Sequence, residues 1–124
     1  MIDFTQDTVL KLLPMSISEG RKTVELMLLD DEEVVGAFTT VRDKVIITDK
    51  RLMIVNVQGA IGKKIGYTSL PFNKVQAFSI ETAGAFDIDC EIELHFAYLG
   101  IVRLQIAGRF DIRSFNKNLS TYIL

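Results

Sequence analysis

The spacing of hydrophobic and polar positions divides the chain into helical and extended stretches. Residues 5–13, TQDTVLKLL, and residues 18–29, SEGRKTVELMLL, place apolar side chains at helical intervals, with Val24, Met27 and Leu28 on one side of the second stretch. Thr5 and Ser18 can cap these helices, Pro14 stops the first, and Gly20 weakens the second. After the acidic run DDEE the period shortens to two, and strands are predicted to about residue 107. Helical spacing returns at the end in Ile112, Phe115, Leu119 and Tyr122, with Asp111 placed to cap the start.

Within the extended stretch, Ile88, Cys90, Ile92, Leu94 and Phe96 alternate with Asp89, Glu91, Glu93 and His95, so one face is core and the other is wet. The following strand turns Val102, Leu104 and Ile106 to the same core. A connection through Tyr98, Leu99 and Gly100 sets His95 opposite Arg103 and Glu93 near Gln105. A slip of two residues would keep the faces and change these partners. Upstream, KVIITDKRLMIV reads as a hairpin turning at Asp49-Lys50. Its inner face carries Val45, Ile47, Leu52 and Ile54. The outer face, with Ile46, Met53, Val55 and Val57, is almost as apolar.

A barrel covers only its inner face, so that outer face needs a cover, either the N-terminal helices or another subunit. The helices are short and carry few apolar residues. The expectation is therefore a homo-oligomer, cyclic if the contact is head-to-tail, with Ile46, Met53, Val55 and Val57 as the candidate interface.

At 124 residues the chain is one domain, with a helical extension over 1–30, strands over 32–107 and a helix over 111–124. The mean hydropathy of +0.26 is high, but no apolar run approaches the roughly eighteen residues of a membrane span. One cysteine excludes an internal disulfide, and a net charge of −2 argues against nucleic acid as a partner. The opening MIDFTQD lacks the basic start of a secretory leader, so a cytoplasmic protein is expected, at most peripheral to the membrane.

Residues 48–94 resemble the bacterial pleckstrin-homology-like (PH-like) domain family. The resemblance is carried by DKRL at 49–52, QG at 58–59, GKK at 62–64, SLPF at 69–72, ETAG at 81–84, and Asp87, Asp89 and Glu91. Asn56, Phe72 and Cys90 depart from it mildly, where aspartate, tyrosine and alanine would be expected. The resemblance implies a mainly β (α+β) fold: a partly open, seven-stranded antiparallel barrel with a C-terminal capping helix. It also implies ring-shaped self-assembly and supplies no reaction.

Candidate chemistry is sparse. The stretch VQGAIGKKIGY suggests a phosphate loop, but the register that fits Gly62-Lys63 puts Val57 at the first glycine and Lys64 at the hydroxyl position. Gly59 and Gly62 are better read as turn residues with positive backbone angles. Lys63, Lys64, Lys50 and Arg51 are candidate contacts for an anionic surface. His95 is the only histidine, and its neighbours Glu91 and Glu93 lie along one strand rather than converging as metal ligands do. Cys90, on the apolar face, reads as an inert core thiol. No catalytic, cofactor-binding or metal-binding residue is assigned, and no enzyme activity is expected. The sequence points to a non-catalytic, self-assembling interaction or scaffold module that binds itself and an unidentified protein or membrane partner. The alternative is a peripheral membrane domain that binds anionic lipid headgroups.

Overall fold

The computed structural model describes residues 8–59, 64–82, 89–108 and 110–124. It opens with a strand, β1 (Thr8–Pro14), followed by helix α1 (Ile17–Val24) and a 3-10 turn (Glu25–Met27). Strands β2 (Val34–Thr39), β3 (Lys44–Thr48), β4 (Arg51–Gln58) and β5 (Lys64–Pro71) come next. A second 3-10 turn (Phe72–Lys74) leads to β6 (Val75–Thr82), β7 (Cys90–Phe96), β8 (Gly100–Ile106) and helix α2 (Ile112–Ile123).

The first expected helix is therefore a strand from residue 8 onward; its cap, Thr5, lies outside the described residues. TVLKLL fits both periods, and here the period of two wins. Leu12 is buried and Leu10 packs against the core, while Val9, Lys11 and Leu13 face out. Sheet pairing supplies the energy that local helix propensity lacks. β1 runs parallel to β8 from Thr8↔Val102 to Leu12↔Ile106. It then meets β2 in antiparallel register at Leu13↔Thr39 and Pro14↔Phe38. Among the described residues the sheet thus has eight strands rather than seven, in the order β5-β4-β3-β2-β1-β8-β7-β6, and one pair is parallel. β1 is the seam that makes one bent half-barrel out of two antiparallel groups.

α1 also starts earlier than the sequence suggests. Its cap is Ser16, not Ser18: the Ser16 hydroxyl accepts the Glu19 N–H at 3.2 Å. The regular helix ends at Val24, and only a 3-10 turn continues to Met27.

The β3–β4 hairpin turns where expected, with Ile47↔Leu52 flanking Asp49-Lys50. The β7–β8 register does not: it differs by the two-residue slip that preserves the faces. Glu93 faces Arg103, Glu91 faces Gln105 and His95 faces Ile101. The loop is Ala97-Tyr98-Leu99, Gly100 opens β8 opposite Phe96, and both Tyr98 and Gly100 take positive φ, 71° and 93°. This register sets acid against base: the Arg103 Nε lies 3.3 Å from a Glu93 carboxylate oxygen and 3.8 Å from one of Glu91.

Inside the bend, Val45, Ile47, Leu52 and Ile54 meet Ile92, Leu94, Leu104 and Ile106. α2 closes the open end. Its cap, Asp111, accepts the Ser114 N–H, and its buried side is Ile112, Phe115 and Leu119. Phe115 stands edge-on to Phe38 and Phe110, and Tyr122 stacks on Phe72 at 6.1 Å between centroids. Phe115→Ala should cost about 2–5 kcal/mol in urea unfolding. A loss below about 1 kcal/mol would show that α2 adds little to the core.

Candidate functional site

The apolar outer face of the β2–β5 group is real, but the chain covers most of it. Ile46, Met53 and Val55 are 0%, 1% and 3% exposed, in a second core with Val24, Val34 and Ala37, against which Met15 and Leu28 pack. α1 lies so close to β2 that a Cβ on Gly20 would collide with the Cβ of Ala37. The expected interface residues Ile46, Met53 and Val55 are therefore interior. The short helix suffices because a glycine brings its backbone onto the sheet. Val57, half-buried, lies toward the far end of β4, where it pairs with the exposed Ile65 of β5; Tyr67, also exposed, pairs with Val55.

Of the four basic candidates, the three that the structure describes, Arg51, Lys50 and Lys64, do not form one site. Arg51 is committed to the fold through the buried carboxylate of Glu32, whose side chain is 0% exposed. Its Nε and Nη2 donate to the two Glu32 oxygens at 2.9 Å each, Nη2 also to the Met27 carbonyl at 2.7 Å, and Nη1 to Ser69 at 3.1 Å. The Thr48 hydroxyl donates to Glu32 at 2.6 Å and the Leu29 N–H at 3.1 Å. Burial by itself pushes this carboxyl up. Hydrogen bonds from Arg51, Thr48 and Leu29, with the guanidinium charge, outweigh burial and hold it below the ordinary value. Arg51 is thus a structural cation rather than an anion contact.

Lys50 sits 3.4 Å from Asp31. Lys64 is exposed at the opposite end of the β4–β5 pair, facing Gln58 where Arg51 faces Pro71, roughly 23 Å of strand away. Lys63 and Gly62 lie outside the described residues; Gly59 does take a positive φ, 86°. Arg42 reaches that end, its Nη2 donating to the Gly59 carbonyl at 3.4 Å. His95 is 3.4 Å from Glu93, which also binds Arg103, and Cys90 is buried on the inner face.

Two exposed apolar clusters were missed in the sequence: the helical spacing absorbs Val9, Leu13 and Met27, and Val41 belongs to no periodic pattern. The first follows α1: Leu26 is 96% exposed, Met27 and Leu29 are exposed, and Glu25, Asp30 and Asp31 flank them. Its shape is fixed by the Arg51 bond to the Met27 carbonyl and by Glu32, whose side chain accepts the Leu29 N–H while its own N–H donates to the Leu29 carbonyl. The second is a groove of about 650 Å³ between β1 and the β2–β3 turn, lined by Val9, Leu10, Leu13 and Val41 with Lys11 and Arg42. Val41 is 101% exposed at the tip of a well-made turn. The Thr40 hydroxyl accepts the N–H groups of Arg42 and Asp43 at 3.3 and 2.8 Å, and the Thr40 N–H donates to the Asp43 carbonyl at 2.8 Å. Nothing in that turn requires a valine.

A family model described as the bacterial PH domain matches residues 3–123. The uncharacterized protein YjqA of Bacillus subtilis (strain 168) is 47% identical over 80 residues, a match that covers 64% of each chain and so under two thirds of that relative. A DUF1696 family protein with a pleckstrin-homology domain from Shewanella loihica PV-4 is 28% identical, with a TM-score of 0.69 over 92% of this chain and 98% of that one. A pleckstrin homology domain from Shewanella amazonensis SB2B is 31% identical, with a TM-score of 0.62 over 89% and 90%. A PH-domain-containing protein from Exiguobacterium sibiricum 255-15 shares the fold at 17% identity, with a TM-score of 0.66 over 91% of this chain and 62% of that one.

The close approach at Gly20 and the Glu32 network can each be tested. Gly20→Ala should destabilise by about 1–3 kcal/mol through overpacking, against the gain of about 1 kcal/mol usual in a helix interior. A stabilised variant would mean that α1 is not seated on β2. Arg51→Met should cost about 3–5 kcal/mol at neutral pH, because it strands a buried carboxylate. Glu32 has a lowered folded pKa, so its contribution is complete above its unfolded value, near 4.5, and is lost as pH falls through the folded one. Glu32→Gln should therefore flatten the acid limb of the stability–pH curve; an unchanged limb would contradict this.

Proposed function

Because the chain belongs to the bacterial PH domain family, we propose that it works as a non-catalytic, self-assembling interaction module. The observation that supports this is apolar surface held in a fixed shape and left uncovered, at Leu26 and at Val41. Solvated turns do not need apolar side chains. Rigid presentation also lowers the entropy lost on binding, which is how an exposed patch becomes an effective contact.

A second reading, docking on anionic lipid headgroups, draws on Lys64 together with Arg42, which the fold brings to the same end of the barrel. Each basic residue near an anionic bilayer adds about 1 kcal/mol, so two of them make a weak and salt-sensitive attachment. Among the described residues, no helix is long and apolar enough to cross a membrane.

Light scattering at micromolar concentration should give several times the chain mass of 13.9 kDa. A monomer at that concentration would contradict the self-assembly reading. Sedimentation with phosphatidylserine vesicles tests the other: binding lost on Lys64→Glu with Arg42→Glu would support it, and no pelleting at low salt would end it.

A further inference from the structure

The sheet ends in two edge strands, β5 and β6, and they differ. β6 is blunted: its register with β7 shifts between Val75 and Ala77, and α2 packs beside it. β5 pairs with β4 along its whole length, and among the described residues no strand lies on its other side. The Phe72 N–H donates to the Lys50 carbonyl at 3.0 Å, a hydrogen-bonded pair one step beyond Arg51↔Pro71. Bonded and non-bonded pairs alternate in an antiparallel ladder, so Leu70, Thr68 and Gly66 bond to β4. Ser69, Tyr67 and Ile65 then turn their N–H and C=O groups to the free edge. Two observations agree with this phase. Pro71, which has no N–H to lose, falls in the outward set. The Val57 N–H, opposite Ile65, points away from β5 and donates to the Asp43 carboxylate at 3.1 Å.

The geometry points to the free edge of β5 as the docking site for an extended segment of a different protein, which adds a strand beside Ile65, Tyr67 and Ser69. The proposal rests on the interaction-module reading and names the kind of partner. A row of outward N–H and C=O groups is matched in full only by another extended backbone. The side chains select which one. Ile65 and Tyr67, on the outer face, are 52% and 39% exposed and stand next to Val57 and Val55 of β4. Apolar, β-branched or aromatic residues at alternate positions of the incoming segment extend that row and cover both. β5 carries one cation, Lys64, and no acid. An antiparallel segment brings its C-terminal side to Lys64, so acid there completes the match. The partner is thus an extended segment of alternating apolar residues that closes in acid.

The test adds a short synthetic peptide, alternating valine and threonine and closing in two glutamates, to the full chain and follows amide exchange by NMR. Without peptide, the amides of Ile65, Tyr67 and Ser69 should exchange about tenfold or more faster than those of Gly66, Thr68 and Leu70. Saturating peptide should slow the outward set to the rate of the inward set, and the same peptide with lysines for glutamates should bind more weakly. Tyr67→Pro removes an outward donor and spares the β4 ladder, so it should fold like the parent and bind the peptide about tenfold more weakly. Tyr67→Thr keeps that amide and should lose less. Outward amides that are protected without peptide would show the edge already held by this chain or by a second copy, and would overturn the proposal. So would peptide that leaves them unprotected, or equal binding by the parent and Tyr67→Pro. A Tyr67→Pro chain that does not fold overturns it as well, since the amide is then engaged within the molecule. Self-assembly is read separately by light scattering: a parent that assembles and ignores the peptide ends this proposal alone.

Discussion

The buried pair of Glu32 and Arg51 is the constraint on which the outer layer depends. A carboxylate taken out of water is stable only when its oxygens are fully hydrogen-bonded, and this one is held by Arg51, Thr48 and a backbone N–H. These bonds tie together the turn after α1, the end of β3, the start of β4 and, through Ser69, β5. The layer that covers the outer face of the sheet is thus fixed by one ion pair at its far end and by close helix-to-sheet packing at Gly20.

That covering changes where the molecule can meet partners. An apolar sheet face such as Ile46, Met53 and Val55 is a natural interface if nothing in the chain lies over it. Here α1 does, and the uncovered apolar groups move to the ends of the strands. The Leu26 cluster is held there by the same bonds that seat the layer, because the Arg51 side chain that neutralises Glu32 also grips the Met27 carbonyl.

Much of the architecture was legible in the residues. The alternation in β7 and β8, the Asp49-Lys50 turn and the Asp111 cap each follow from local chemistry, and the structure shows them. The errors came where local pattern was degenerate. TVLKLL suits a helix or a strand, and only its non-local partners, Val102 to Ile106 on β8, decide for the strand. The β7–β8 register had two solutions with the same buried faces, separated by which charges meet across the ladder. Arg51 read as a free loop cation because its partner, Glu32, is nineteen positions away within an acidic run. The exposed clusters were hidden by apparent helical spacing over 5–13 and 18–29, although a valine in TTVRDK and an LMLL run before DDEE were the available signals.

The central claim is that the chain shields its own outer sheet face with α1 and the turn after it, held there by Glu32 and Arg51. Hydrogen–deuterium exchange, compared between the parent and Arg51→Met under native conditions, tests this most directly. Exchange should quicken over residues 17–31 and in the β3–β4 hairpin beneath them, and stay unchanged over residues 100–106 of β8. Unchanged exchange over 17–31 in the variant would contradict the account.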